Sequence, residues 1–131
     1  MTFFHYDGEQ GKLTPQQKLS TLPKEFAGTN MCSEIRVAPD GKFVYAANRI
    51  HDSIAAFAIG RDGRLTHLGE SWTRGDTPRS ITLDPAGNFL YSLNQLGDAI
   101  TTFRINRKTG RLDFTGQYTP LGTPACMVFL T

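Results

Sequence analysis

Among the 131 residues, no apolar run approaches the roughly 20 residues that a membrane-spanning helix needs. The first residues, Met1-Thr2-Phe3-Phe4-His5, lack a basic stretch leading into an apolar one. They do not read as a secretory signal, and a cytoplasmic location is the expectation. Cysteine is scarce. Cys32 and Cys126 lie far apart and read as two reduced thiols, not as a disulfide framework. An excess of one charge is also missing: 14 Lys and Arg against 12 Asp and Glu leave a net charge of +2. Neither a nucleic acid nor a membrane surface is expected as a partner. There is no helical periodicity of useful length. No Walker, GxSxG or HExxH pattern occurs, and Gly75-Asp76-Thr77 reads as a loop, not a phosphate cradle. His51 and Asp52 are adjacent but have no partners at metal-ligand spacing, so neither a metal nor a cofactor is expected.

The composition is turn-rich, with 13 Gly, 7 Pro and 39% apolar residues. That mix suits an all-β chain. An aromatic fraction of 11%, with evenly spaced apolar segments, argues against disorder. The length fits one domain or less.

An internal repeat of 46 residues sets the organisation. Ile35 matches Ile81, Pro39 and Gly41 match Pro85 and Gly87, and Phe43, Tyr45 and Asn48 match Phe89, Tyr91 and Asn94. Asp52, Ile54, Phe57 and Ile59 match Asp98, Ile100, Phe103 and Ile105. Each unit reads as four short strands. In the first unit they are Glu34–Ala38, Phe43–Asn48, Ser53–Ile59 and Leu65–Trp72. The Pro39–Lys42 turn presets φ with Pro and takes a positive φ at Gly41.

Four strands per roughly 45 residues make a propeller blade, whose faces are buried only by radial stacking. The fold class expected is therefore all-β, a partial β-propeller of four-stranded antiparallel blades. Residues 1–21 read as the outer strands of an incomplete blade. Residues 33–73 and 79–119 read as whole blades, and 125–131 as the inner strand of a further blade, with Cys126–Leu130 matching Ser80–Asp84.

Several segments resemble the lactonase family of seven-bladed propellers, which includes 6-phosphogluconolactonases and carboxymuconate cyclases. They are Ser33-Glu34-Ile35-Arg36-Val37, Pro39–Tyr45, Asn48-Arg49, His51-Asp52-Ser53-Ile54, Thr77-Pro78-Arg79 and Asp84–Gly87. The resemblance covers nearly the whole chain but only the last third of a typical member. It implies about two and a half blades of seven, with about four blades expected upstream. It also implies lactone hydrolysis with no cofactor.

The repeat supplies an internal control. Asn48/Asn94 and Asp52/Asp98 are shared, and their expected task is side-chain bonding to turn backbone. The polar residues present in one unit only are free for chemistry. Glu34 stands where the other unit has Ser80, Arg36 where it has Thr82, Arg49 where it has Gln95, and His51 where it has Gly97. Arg79 stands opposite Ser33 and Ala125. In an antiparallel meander alternate connections share one end. Strand counting therefore gathers Glu34, Arg49, His51 and Arg79 at one mouth of the central channel. Arg36 lies two residues deeper on the side of Glu34, to bind substrate or merely pair with that carboxylate. His5 and His67 read as surface residues, and Cys32 as a small buried one.

Lactone hydrolysis needs an activated water and a stabilised oxyanion. Glu34 or His51 would be the base. Arg49 and Arg79 would hold an anionic group and stabilise the oxyanion. A carboxylate beside two Arg is a weaker base, which favours His51. The expected partner is a small anionic lactone. Cyclisation of a carboxymuconate, a non-catalytic propeller module and an inactive truncated product are the rival readings. A 131-residue piece would be weakly active or inactive and would self-associate through bare blade faces.

Overall fold

A computed structural model describes residues 1–130. All regular structure among them is β: β1 (Thr2–Asp7), β2 (Lys12–Lys18), β3 (Cys32–Val37), β4 (Phe43–Asn48), β5 (Ser53–Ile59), β6 (Leu65–Trp72), β7 (Pro78–Leu83), β8 (Phe89–Asn94), β9 (Ala99–Ile105) and β10 (Leu112–Pro120). They form a two-stranded sheet β1-β2 and two four-stranded antiparallel meanders, β3-β4-β5-β6 and β7-β8-β9-β10. These are two whole blades preceded by an outer hairpin, in the order the repeat implies.

Alternation along β4 shows how the blades stack. Phe43, Tyr45 and Ala47 face one way and pack with Ile54 and Ala56 against Ile81, Leu90, Phe103, Ile105 and Leu112 of the second blade. Val44 faces the other way and packs with Ala55 and Phe57 against Met1, Leu19 and Leu65. With both faces covered, all of β4 is buried. The Tyr45 hydroxyl donates to Gly110 O at 3.0 Å, a bond from one blade to the next. Burial, with the Asp40 charge adding to it, pushes that hydroxyl up to about 12, so it remains a donor.

The inner strands β3 and β7 lie side by side. Ser33 Oγ donates to Pro78 O at 2.6 Å, and Arg36 Nε donates to Ile81 O at 3.2 Å. Each inner strand carries one extra residue relative to its neighbour. Cys32 pairs Asn48 and Ile35 pairs Ala46, while Pro78 pairs Asn94 and Ser80 pairs Leu93. The bulges fall at Ser33-Glu34 and at Arg79, positions that the repeat makes equivalent.

Two expectations need correction. Residues 125–130, expected as an inner strand, form no ladder. In this segment Phe129 lies against Tyr91, with ring centroids 5.6 Å apart. Thr131, also assigned to that strand, lies outside the described residues. Cys32, expected to be buried, is exposed because β3 borders an uncovered face. On that face Ile35 is 50% exposed, whereas its repeat equivalent Ile81 is fully buried by the first blade.

Candidate active site

The hairpin between β4 and β5 and the entrances to β3 and β7 meet at one end of the sheets. Arg49 N donates to Met31 O at 2.8 Å, and Thr73 N donates to Asp52 O at 2.8 Å. Asp52 Oδ1 accepts Thr77 N at 2.8 Å, just before β7. Asp98 repeats this bond to Thr123 N at 2.8 Å. Both threonines have a left-handed backbone, with φ of 55° and 44°. That conformation is costly for a β-branched residue, and its recurrence in two blades marks it as part of the architecture.

Glu34 sits at the junction of the two inner strands. Its Oε2 accepts Ser80 Oγ at 3.0 Å, and its Oε1 lies 3.4 Å from Arg36 Nη2. Arg36 is thus the arginine that pairs with Glu34. Arg49 and Arg79 are not in contact with that carboxylate among the described residues. Arg79 occupies the β7 bulge and is exposed between buried Pro78 and Ser80. A bulge re-aims a side chain, which strand counting alone does not anticipate. Arg49 Nε is buried without a hydrogen-bond partner. A buried unpaired donor is uncommon and calls for an acceptor.

His51 stands on the hairpin and is half-buried. Its Nδ1 lies 2.7 Å from Ser53 Oγ, and its ring meets Phe26 edge-on at 4.8 Å. Asn48, fully buried, is the hub beneath it. Asn48 Oδ1 accepts Thr21 Oγ1 at 2.7 Å and Asn30 Nδ2 at 2.9 Å. Its Nδ2 donates to Thr21 O at 2.8 Å and to Ser53 Oγ at 3.1 Å. The shared Asn is therefore not a turn brace within its own blade. It ties the blade to the preceding one, and Asn94 does the same through Thr101 Oγ1, which donates to Thr73 O at 2.6 Å.

The family description "Lactonase, 7-bladed beta-propeller" matches residues 1–129. The chain belongs to this lactonase family. Among its relatives, the 6-phosphogluconolactonase of Bacillus subtilis is 34% identical over 126 residues, which are 95% of this chain and 36% of that protein. Among solved structures, the periplasmic gluconolactonase of Pseudomonas aeruginosa superposes with a TM-score of 0.93 at 25% identity, over 99% of this chain and 36% of the other. A Lactobacillus plantarum protein superposes with a TM-score of 0.91 at 30% identity, over 95% of this chain and 37% of the other. The chain thus spans about a third of the length of these proteins, and a quarter of some other relatives.

Within this lactonase segment, the residues predicted from sequence divide into a contacting pair, Glu34 and Arg36, and three residues placed at the same end without touching it. Sequence reasoning missed Ser80, Ser53 and Asn30. Ser53 carried a signal, because the other unit has Ala99 there. Ser80 carried none, since a serine at the repeat position of Glu34 looks like its replacement, not its partner. Asn30 lies in the connection before β3, and the repeat sets Asp76 opposite it, a residue that reads as part of a turn.

Burial raises the Asp52 carboxyl above its ordinary value, outweighing the bond from Thr77 N–H, while Asp76 adds to the rise and His51 opposes it. Between the unfolded and folded values the folded state keeps a proton that the unfolded chain has lost. Stability from this group therefore falls as pH rises through that window. Asp52→Asn keeps an acceptor for Thr77 N–H. Wild type is expected to gain stability relative to Asp52→Asn as pH drops from neutral. Urea melts of both proteins at neutral and mildly acid pH check this, and a relative loss on acidification would reverse the sign.

Proposed function

We propose that this segment supplies part of the active site of a lactonase that hydrolyses a small anionic sugar-acid lactone at the propeller mouth. The observation that carries the proposal is the one-blade cluster: Glu34, Arg36, Arg49 and His51 occur in the first blade and have no counterparts in the second, and Glu34, Arg49 and His51 stand with Arg79 at one end of the sheets, Arg36 lying deeper beside Glu34. Blade architecture alone does not require them, since the second blade folds without them. Arg49 and Arg79 bind the anionic group and the developing oxyanion, because guanidinium forks suit carboxylate and phosphate. Glu34 and His51 divide the roles of base and proton donor. The test is turnover of 6-phosphogluconolactone against its unphosphorylated counterpart by a full-length propeller carrying these residues. Preference for the phosphorylated lactone, lost in Arg79→Ala, supports the assignment. Equal rates on both lactones, unchanged in Arg79→Ala, refute it.

The isolated chain lacks the other blades that complete the mouth, and we propose that it has little activity alone. Its bare face forms an open groove of about 410 Å³ lined by Phe3, Phe4, Ile35, Val37 and Leu65. The groove lies beside β1, where the inner strands of that blade would sit. We propose that a second copy covers it, because the unpaired tail of each chain carries the inner-strand pattern and exposes Val128 and Leu130. Light scattering of the purified 131-residue chain should show dimers or larger species. A monodisperse monomer rejects this.

A further inference from the structure

We infer that neutral His51 is locked as the Nε2–H tautomer, with Asn48 and Ser53 as its positioning residues, so that it gives a hydrogen bond to the substrate and does not act as the base. Two backbone groups of fixed character anchor the deduction. Thr21 O can only accept, so the Asn48 group 2.8 Å away is its NH2. His51 N–H can only donate, so the Asn30 atom 3.3 Å away is its Oδ1. Asn30 then turns its NH2 to Asn48 Oδ1 at 2.9 Å. Both ends of the network give the same orientation of the Asn48 amide.

The consequence runs through Ser53. Its Oγ accepts a hydrogen bond from Asn48 Nδ2 at 3.1 Å, and the side chain is enclosed, with the residue only 3% exposed. A buried hydroxyl proton needs an acceptor. Among the described residues the remaining neighbour of Ser53 Oγ is His51 Nδ1 at 2.7 Å. The hydroxyl therefore donates to Nδ1, the Nδ1 lone pair is occupied, and the proton of the neutral ring sits on Nε2. Nε2 makes no hydrogen bond within the described residues. Phe26, edge-on to the ring, fixes its plane. The second blade retains the Asn hub but has Gly97 and Ala99 in place of His51 and Ser53, so imidazole and hydroxyl occur together in one blade only.

The catalytic meaning rests on the lactonase proposal above; the tautomer does not. With His51 donating from Nε2 to a carbonyl or anionic oxygen, Glu34 is left to take the proton from water. The water O–H bond breaks to the carboxylate as the new C–O bond forms, and the ring C–O bond breaks in the collapse that follows, the departing ring oxygen taking the proton held by Glu34. The histidine-labelled chain, studied by 15N magic-angle-spinning NMR at mildly alkaline pH, tests the tautomer whatever its association state. The chain has three histidines, and His51→Gln identifies the signals of interest by their loss. A protonated Nε2 and an unprotonated, hydrogen-bonded Nδ1 are expected, in about tenfold excess over the other tautomer, as a bond of about 1.4 kcal/mol gives. Ser53→Ala should reduce that excess several-fold, and Ser53→Thr should restore it. A protonated Nδ1 in the wild type overturns the inference, as does a Ser53→Ala spectrum with the tautomer ratio unchanged. The tautomer confirmed in a propeller that hydrolyses no lactone would leave this inference standing and remove the proposed function.

Discussion

Asn48→Ala is expected to destabilise a full-length propeller carrying this segment by about 3–4 kcal/mol, one of the largest effects of any single polar truncation in the chain. The physical ground is the number of buried partners left behind. Asn48 is fully buried and, among the described residues, makes five hydrogen bonds, to Thr21 Oγ1, Thr21 O, Asn30 Nδ2, Ser53 Oγ and, more weakly, Cys32 Sγ. Leaving a buried donor or acceptor unmade costs about 1–3 kcal/mol each, and the terms do not add because neighbours relax. Asn94 is equally buried but, among the described residues, its side chain bonds only Ser92 Oγ and Thr101 Oγ1. Thr101 keeps its own bond to Thr73 O when Asn94 is removed. Asn94→Ala should therefore cost about half as much. Asn48→Asp is a sharper probe, because it changes no volume but sets a carboxylate oxygen against Thr21 O. It should cost at least as much as Ala. Shifts in the urea midpoint of the three variants measure the order. An Asn48→Ala cost below about 1 kcal/mol would mean that water replaces the network freely.

This hub also shows which parts of the molecule can be read from sequence and which cannot. Strand positions were legible because period-2 alternation and Pro-Gly turns are local. β4, β5 and β6 fall where the pattern puts them, at Phe43–Asn48, Ser53–Ile59 and Leu65–Trp72. The assignment of β4 residues to two faces was legible for the same reason. The importance of Asn48 is visible in its recurrence at Asn94, and it does bond connection backbone, at Thr21 O, but its side-chain partners Thr21, Asn30 and Ser53 come from two places in the chain that repeat comparison does not bring together. The two bulges were not legible. A bulge is a mismatch between neighbouring strands, and nothing in the Ser33-Glu34 or Arg79 sequence announces it. The lack of a ladder at residues 125–130 is of another kind, because alternation marks a segment that could pair and does not by itself supply a neighbouring strand.

For the site, parity gathers Glu34, Arg49, His51 and Arg79 at one end and sets Arg36 two residues deeper. It does not decide which touch. The Glu34–Arg36 pair and the Ser80 hydroxyl are set by the lateral packing of β3 against β7. The division of labour between Glu34 and His51 depends on a proton position that no spacing rule contains.

That division gives the second large effect. In a full-length propeller carrying these residues, Glu34→Gln is expected to lower kcat by about 10²–10⁴-fold, the usual contribution of a general base. His51→Ala should lose about 10²–10³-fold, as removal of one oxyanion donor does. His51→Gln separates the two possible roles of the imidazole. A glutamine amide cannot take a proton at neutral pH, but its NH2 group can reach the region that Nε2–H occupies in the imidazole. If His51 is a donor, His51→Gln retains a substantial part of the activity and exceeds His51→Ala by at least tenfold. If His51 is the base, the two variants are equally impaired. The pH profile gives an independent reading. With Glu34 as base, the limb of kcat/KM that requires a deprotonated group persists in His51→Gln and disappears in Glu34→Gln. A limb lost in His51→Gln and kept in Glu34→Gln would exchange the roles, and with them the significance of the Ser53 hydroxyl, which would then have to swing away from Nδ1 for the ring to accept a proton there.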